Sequence, residues 1–142
     1  MSRILYGVMG DARGHVARAL TIAQEMPHHE FLFLGGGKVQ DIRTVGYNVH
    51  EIPMLATYYM NNKVDVKTTL WNASRVLLHR QATKKVISCI VKDFDPDIIL
   101  TDYEYFTPLV AMNLGLQCVS IDHQHILTHC HYQVPHSQRF SR

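Results

Sequence analysis

The sequence lacks a long hydrophobic run. Its first apolar stretch, ILYGV, gives way to turn residues after about five positions, which is shorter than the apolar core of a secretory signal peptide. No later run approaches the roughly eighteen apolar residues that a membrane-spanning helix needs. We therefore expect a cytoplasmic chain without a membrane span.

Paired cysteines are also missing. The chain has 3 cysteines, Cys89, Cys118 and Cys130, and their spacing matches neither a CxxC motif nor a disulfide framework. An odd number of widely separated thiols is typical of a protein in a reducing compartment. This pattern again favours the cytoplasm.

Charge of one sign is not in strong excess. The 14 lysine and arginine residues oppose 12 aspartate and glutamate residues, which gives a net charge of +2. Domains that bind nucleic acid usually have a strongly basic face, so no nucleic-acid partner is expected. With 142 residues, 46% of them hydrophobic, the chain can bury the core of one domain, and we predict a single domain over residues 1–142.

Short apolar runs alternate with helical patterns along the chain. Strands are predicted at 3–9, 30–35, 47–52, 97–101 and 117–121, and helices at 15–26, 38–45, 65–92 and 105–114, with a loop at 53–63. The strands are too apolar to have a wet face, which indicates a parallel sheet covered by helices on both sides. The predicted fold class is α/β, a Rossmann-like doubly wound sheet with strand order of about 3-2-1-4-5.

This strand order also predicts where a ligand binds. In doubly wound sheets, ligands bind at the carboxyl ends of the strands beside the reversal of strand order, here between the first and fourth strands. The loops at that edge are residues 10–15, 35–37, 101–104 and 122–125.

The first of these loops, MGDARGH, is rich in glycine and opens a helix. Backbone N–H groups at the amino end of a helix attract anions, so a phosphate crevice is predicted at Gly10, Asp11, Arg13, Gly14 and Gly36. As a dinucleotide motif the stretch matches poorly, because its spacing is GxxGxxxG and the second strand ends in LGGG without an acidic residue for a ribose. A tight turn without a ligand is the alternative.

His15 is the candidate general base. It lies at the start of the predicted helix beside the crevice, and an imidazole can take a proton from a hydroxyl near neutral pH. Asp102, at the end of the fourth strand, is the best placed carboxylate to orient it, and Glu104 is the substitute. Alternatively, Asp102 caps the helix that begins near Tyr105 and His15 is only a polar residue at a helix start.

Three further features have competing interpretations. The tract His123 to His131 has alternating imidazoles, but without a second cluster it is interpreted as a polar loop, and no metal is expected. Tyr58, Tyr59 and Met60 are candidates for contact with an acceptor, or else form a loop packed on the long helix. That helix carries Trp71 among six basic residues, which suggests either contact with an anionic membrane surface or a solvated face; the six are Lys67, Arg75, Arg80, Lys84, Lys85 and Lys92.

Two stretches resemble a known family. ILYGVMGDARGHVARALTIAQ is similar to the amino-terminal motif of GT-B glycosyltransferases, especially the lipid-linked N-acetylglucosaminyl transferases and related uncharacterised prokaryotic proteins. The matching positions are Gly10, Gly14, His15, Arg18, Ala19 and Leu20. PDIILTDYEYFTPLVAMNLGLQCVSIDHQH, residues 96–125, resembles the second half of the same domain.

The resemblance implies a division of roles between two domains. The amino-terminal domain would bind a glycan or lipid-linked acceptor, and His15 would activate the acceptor hydroxyl for inverting attack on the anomeric carbon of a UDP-linked sugar. Gly10 and Gly14 would face the donor diphosphate, and a set of polar residues, Asp122, His123 and Gln124, would line the crevice. The nucleotide sugar is then a substrate, and no cofactor is implied.

A second, donor-binding domain has no counterpart in these 142 residues. We therefore expect the chain to be inactive alone and to act with a carboxy-terminal domain or a partner subunit, in the cytoplasm or at the inner face of the membrane. Half of a sugar-nucleotide epimerase and a non-catalytic binding subunit are the alternatives.

Overall fold

The computed structural model describes residues 1–121. The elements follow in the order β1 (Arg3–Val8), α1 (Arg13–Glu25), β2 (Glu30–Gly35), a 3₁₀ helix (Gly37–Val45), β3 (Asn48–Glu51), β4 (Tyr59–Met60), β5 (Lys63–Val64), α2 (Val66–Leu78), α3 (Arg80–Phe94), β6 (Ile98–Asp102), α4 (Phe106–Leu114) and β7 (Cys118–Ser120).

Five parallel strands form the central sheet in the order β3-β2-β1-β6-β7. Once the small β4–β5 hairpin is set aside, this is the predicted order 3-2-1-4-5, and the Rossmann-like prediction is confirmed. The register pairs Val8 of β1 with Asp102 of β6, so the carboxyl ends of these two strands lie side by side.

The core has two layers because the sheet is covered on both faces. Successive side chains of β1 point to opposite faces: Tyr6 packs in the layer formed with α1 and the 3₁₀ helix, while Leu5 packs in the layer formed with α3 and α4. Both side chains have no solvent exposure, which explains why the strand is apolar throughout.

The helical pattern predicted as one helix over 65–92 forms two helices. α2 ends at Leu78 and α3 begins at Arg80, with His79 as the junction. The apolar periodicity of the sequence continues across the break, but the two helices differ in how many side chains they bury. α2 buries only Val76, whereas α3 buries four residues, Thr83, Ile87, Val91 and Phe94. α3 therefore packs on the sheet, and α2 is held by few apolar contacts.

The prediction of a loop at 53–63 was wrong for its second half. Tyr59–Met60 and Lys63–Val64 pair as an antiparallel hairpin around Asn61 and Asn62, whose φ angles are 51° and 59°. Asparagine adopts this left-handed conformation more readily than most residues, and consecutive left-handed residues are what a tight hairpin turn requires. The two asparagines were the signal for this turn in the sequence.

Candidate functional site

The candidate site lies where β1 and β6 end beside the first turn of α1. His15 Nδ1 is 2.8 Å from Asp102 Oδ1, across 87 residues of sequence. The side chain of Asp102 is fully buried, while that of His15 keeps 22% of its surface exposed. The structure thus brings together the two residues predicted as base and orienting acid, with only the imidazole open to a substrate.

Arg18 completes this group. Its Nε donates to Asp102 Oδ2 at 2.7 Å and its Nη2 donates to Asp102 Oδ1 at 2.6 Å. This bidentate ion pair fixes the plane of the carboxylate. Arg18 matched the family motif, but its role could not be assigned from the sequence. The available signal was its spacing from His15, since residues three apart share a helix face.

The hydrogen-bond partners assign the proton on His15. An Asp102 carboxylate can only accept, so the short contact with Nδ1 requires that Nδ1 carries the hydrogen and donates. In the neutral imidazole, Nε2 then holds the lone pair that a general base needs. Arg18 Nη2 also lies 3.2 Å from Nδ1, but in this tautomer both groups are donors and the approach is not a hydrogen bond.

Tyr103 is a residue that sequence reasoning missed. It follows Asp102 directly, with a φ of 62°, a left-handed conformation that is uncommon for an aromatic residue. Its ring centroid is 5.4 Å from that of His15, and the backbone of Asp102 accepts from Met9 N at 2.9 Å. This unusual turn places the Tyr103 ring beside the imidazole of His15. Residues with strained backbone conformations of this kind cluster at functional sites.

Glu104, predicted as the substitute for Asp102, has other partners. Its carboxylate oxygens accept from the backbone N–H groups of Phe106 and Thr107, which begin α4. Burial raises the pKa of the Glu104 carboxyl, although these amide donors favour its ionised form. Glu104 therefore caps α4, the role considered for Asp102. Asp102 instead accepts hydrogen bonds from His15 and Arg18.

The glycine-rich loop packs closely on the loop after β2. Gly10 O accepts from Lys38 N at 3.1 Å, and a Cβ on Gly10 would collide with the carbonyl oxygen of Gly36. Two of the predicted crevice residues, Gly10 and Gly36, are thus in backbone contact. Arg13 and Gly14 are exposed in the first turn of α1, where Ala12 at the N-cap offers no side-chain acceptor.

We predict opposite effects for two alanine substitutions in this loop. Gly10→Ala should destabilise the fold by about 3 kcal/mol, because backbone atoms of Gly36 cannot rotate away from the new methyl group. Gly14→Ala should stabilise it by about 0.5 kcal/mol, since alanine favours the helix and, apart from the neighbouring residues and the backbone of its own helix, no described atom lies within 4 Å of the added carbon. Urea unfolding of both variants measures this, and equal stabilities would contradict it.

Asp11 connects the site to the segment that precedes the hairpin. Its Oδ2 accepts from Thr57 N at 3.1 Å, and its backbone oxygen accepts from Lys38 Nζ at 3.4 Å. Tyr58, the next residue, donates its N–H to Thr69 Oγ1 of α2. The predicted acceptor segment is therefore anchored to the glycine-rich loop at one end and to α2 at the other.

The predicted acceptor residues lie on and before the hairpin, and all three are exposed: Tyr58, Tyr59 and Met60. Tyr58 also borders an open cavity of about 460 Å³ against α2, whose other lining residues include Trp71, Asn72, Arg75 and His79. The cavity has aromatic walls and two side chains that can carry positive charge.

Some predictions fall on residues outside the described range. Asp122, His123 and Gln124 lie there, as does the rest of the histidine-rich tract. Within residues 1–121, no group of three or more His, Cys, Asp or Glu side chains is placed to hold a metal ion. In the same range, no helix has the length and apolarity to cross a membrane.

Comparison with known proteins identifies the family. The model of the family described as "Glycosyl transferase family 1" matches residues 2–142. The chain belongs to this family. A curated relative of the family 1 domain, an uncharacterized glycosyltransferase of Methanosarcina mazei, is 30% identical over 130 residues, which is 86% of this chain and 33% of the relative. The domain thus spans about a third of the relative's length.

Solved structures establish the fold of the family 1 domain. The glycotransferase of kitacinnamycin gives a TM-score of 0.61 at 16% identity, covering 84% of this chain and 30% of its own. MurG of Acinetobacter baumannii gives 0.61 at 13% identity, covering 84% and 35%. The spinosyn rhamnosyltransferase SpnG, complexed with thymidine diphosphate, gives 0.54 at 16% identity, covering 87% and 36%. The chain has the fold of the amino-terminal domain of a GT-B glycosyltransferase.

Proposed function

We propose that this family 1 domain is the acceptor-binding half of an inverting glycosyltransferase and that His15 is its general base. The observation that carries the proposal is the 2.8 Å contact between His15 Nδ1 and a fully buried Asp102. A buried carboxylate that holds the hydrogen of Nδ1 leaves Nε2 as the proton acceptor and stabilises the imidazolium that forms.

The proposed reaction is a single nucleophilic displacement at the anomeric carbon of the donor sugar. The acceptor hydroxyl gives its proton to His15 Nε2 while its oxygen forms a bond to the anomeric carbon of the sugar. The bond from that carbon to the diphosphate oxygen breaks on the opposite face, and the nucleoside diphosphate leaves with the electron pair. Attack opposite to the leaving group inverts the anomeric centre, and general-base assistance of this kind contributes about 10²–10⁴ in rate.

The first turn of α1 is suited to the negative charge of the donor diphosphate. The amino end of a helix has partial positive charge and free N–H groups, and Arg13 and Gly14 are exposed there. The ammonium group of Lys38 lies at the same loop, where it donates a hydrogen bond to Asp11 O. The complex of SpnG with thymidine diphosphate supports a nucleoside diphosphate sugar as donor, and UDP-linked and TDP-linked sugars are the two classes to test.

The acceptor is a glycan or a lipid-linked molecule with a free hydroxyl. The segment of Tyr58, Tyr59 and Met60 is exposed and anchored to the loop that precedes His15 through the contact of Thr57 N with Asp11. Tyrosine and methionine side chains are suited to the apolar faces of sugars and lipids. A second domain or subunit would bring the nucleotide sugar to His15.

The proposal is tested on the complete transferase that contains residues 1–142. We expect sugar transfer from a UDP-linked or TDP-linked donor, with the anomeric configuration of the product, measured by NMR, opposite to that of the donor. Retention of configuration would contradict the single displacement. A change of the donor sugar without any acceptor would support an epimerase, and donor or acceptor binding without turnover would support a binding subunit.

A further inference from the structure

The hairpin and α2 expose many large apolar side chains. On α2 these are Val66, Leu70, Trp71, Leu77 and Leu78, and on the hairpin they are Tyr59, Met60 and Val64. We call this set the outer apolar face. Leu70, Trp71 and Leu78 are 64%, 67% and 80% exposed, so three large apolar side chains of one helix face solvent.

α2 exposes more large apolar side chains than it buries. Only Val76 of this helix is buried. On the helix, Trp71 and Leu78 lie on the side opposite Val76, and Val66, Leu70 and Leu77 recur at helical spacing beside them. A contiguous exposed apolar patch of this kind marks an interaction surface.

Positive charge is concentrated on the hairpin, α2 and α3, and Lys63, Lys67 and Arg75 belong to the first two of these elements. Residues 61–92 contain seven lysine and arginine residues and one acidic residue, whereas the rest of the chain has seven basic and eleven acidic residues. The single acidic residue, Asp65, caps α2 by accepting from Thr68 N and Thr68 Oγ1. The small net charge of the whole chain therefore conceals a strongly basic segment.

We propose that the outer apolar face docks on an anionic lipid surface. Leucine and tryptophan side chains on an amphipathic helix enter the boundary between headgroups and acyl chains, while neighbouring lysine and arginine residues pair with lipid phosphates. A second copy of this chain fits less well, because Lys63, Lys67 and Arg75 of the two copies would repel each other across the contact. A nucleic acid would match the charge but not the exposed leucines.

Hydrogen bonds place this surface next to the candidate site. Tyr58 O accepts from Asp65 N at 2.8 Å and Tyr58 N donates to Thr69 Oγ1 at 3.1 Å, so the residue before the hairpin is joined to the start of α2. Thr57 N, one residue earlier, is bonded to Asp11. A lipid-docked domain would therefore hold the glycine-rich loop close to the membrane, although the docking itself does not depend on the proposed function.

Vesicle co-sedimentation tests the proposal without an activity assay. We expect the chain to bind vesicles of phosphatidylcholine and phosphatidylglycerol in about equal amounts and to bind phosphatidylcholine alone at least about tenfold more weakly. The double variant Leu70→Ser/Leu78→Ser should weaken binding to the mixed vesicles at least about tenfold. Lys67→Ala, which removes one charge and no apolar residue, should weaken it about fivefold.

Met112→Ser is the matched control, because Met112 is 76% exposed on α4, outside the outer apolar face. It should bind vesicles like the unchanged chain, and circular dichroism confirms that each variant is folded. Equal binding to both vesicle types, or binding that Leu70→Ser/Leu78→Ser and Lys67→Ala leave unchanged, would overturn the proposal. Dimers in sedimentation that the double variant dissociates would also overturn it, in favour of a second copy on this face.

Discussion

His15→Ala should lower kcat for sugar transfer by about 10²–10⁴ in the complete transferase, with a small change in KM for the acceptor. The imidazole is the group proposed to remove the acceptor proton as the new bond forms, so its loss acts on the transition state more than on binding. The side chain is partly exposed and its partner Asp102 keeps Arg18, so the fold should survive. Steady-state kinetics with a saturating donor measures the effect.

His28→Ala provides the control for this substitution. His28 is an exposed histidine in the turn that follows the opposite end of α1, far along the helix from the glycine-rich loop. Its replacement should leave both kcat and KM unchanged. Transfer that persists undiminished in His15→Ala would show that the base is another group, and the role of the contact between His15 and Asp102 would then be structural.

The strand order and the location of the site could be predicted because they depend on local features. The three central strands, β1, β2 and β6, are short apolar runs, and buried parallel strands with helical crossovers allow few arrangements. Placing the first turn of the helix after β1, with His15, beside the end of β6, with Asp102, followed from that order. The contact between them was then a consequence of neighbouring strands in register.

The assignment of partners could not be predicted, since it depends on side-chain directions. Asp102 and Glu104 are two buried carboxylates separated by one residue, and the sequence permits either to cap α4. Asp102 follows Ile98 and Leu100 on the side of β6 that faces α1, and the left-handed turn at Tyr103 then lets Glu104 reach the amides of α4. Nothing in the residue types signals such a turn, because tyrosine seldom adopts it.

The boundary between α2 and α3 could not be predicted either, because tertiary packing determines it. The pattern over 65–92 continues through His79 without glycine or proline. The break arises because α3 follows the sheet while α2 follows the hairpin, to which Asp65 and Tyr58 attach it. Tertiary contacts of this kind override a helical period.

Asp102→Asn should lower kcat for sugar transfer about as much as His15→Ala does, and the hydrogen bonds of the carboxylate give the reason. Three donors converge on the carboxylate: His15 Nδ1 and Arg18 Nη2 on Oδ1, and Arg18 Nε on Oδ2. An asparagine amide has one oxygen and one NH₂ group, so in either orientation its NH₂ group faces a donor. Arginine cannot become an acceptor, but the imidazole can, by moving its proton from Nδ1 to Nε2.

That change of tautomer removes the lone pair that the acceptor proton requires. We expect kcat for sugar transfer to fall by about 10³–10⁴, as when an orienting aspartate is lost from a catalytic triad. Stability should fall by about 1–3 kcal/mol, because one buried donor loses its acceptor. Kinetics of the complete transferase and urea unfolding measure the two effects separately.

Glu104→Gln distinguishes this mechanism from a general effect of changing a buried carboxylate. It should cost about 1 kcal/mol of stability, since one of the two acceptors for the α4 amides is lost. Its kcat should remain close to that of the unchanged enzyme, because Glu104 orients α4 and not His15. A loss of kcat as large in Glu104→Gln as in Asp102→Asn would mean that the position of α4, not the tautomer of His15, limits transfer. A normal kcat in Asp102→Asn would mean that His15 finds its orientation without this carboxylate.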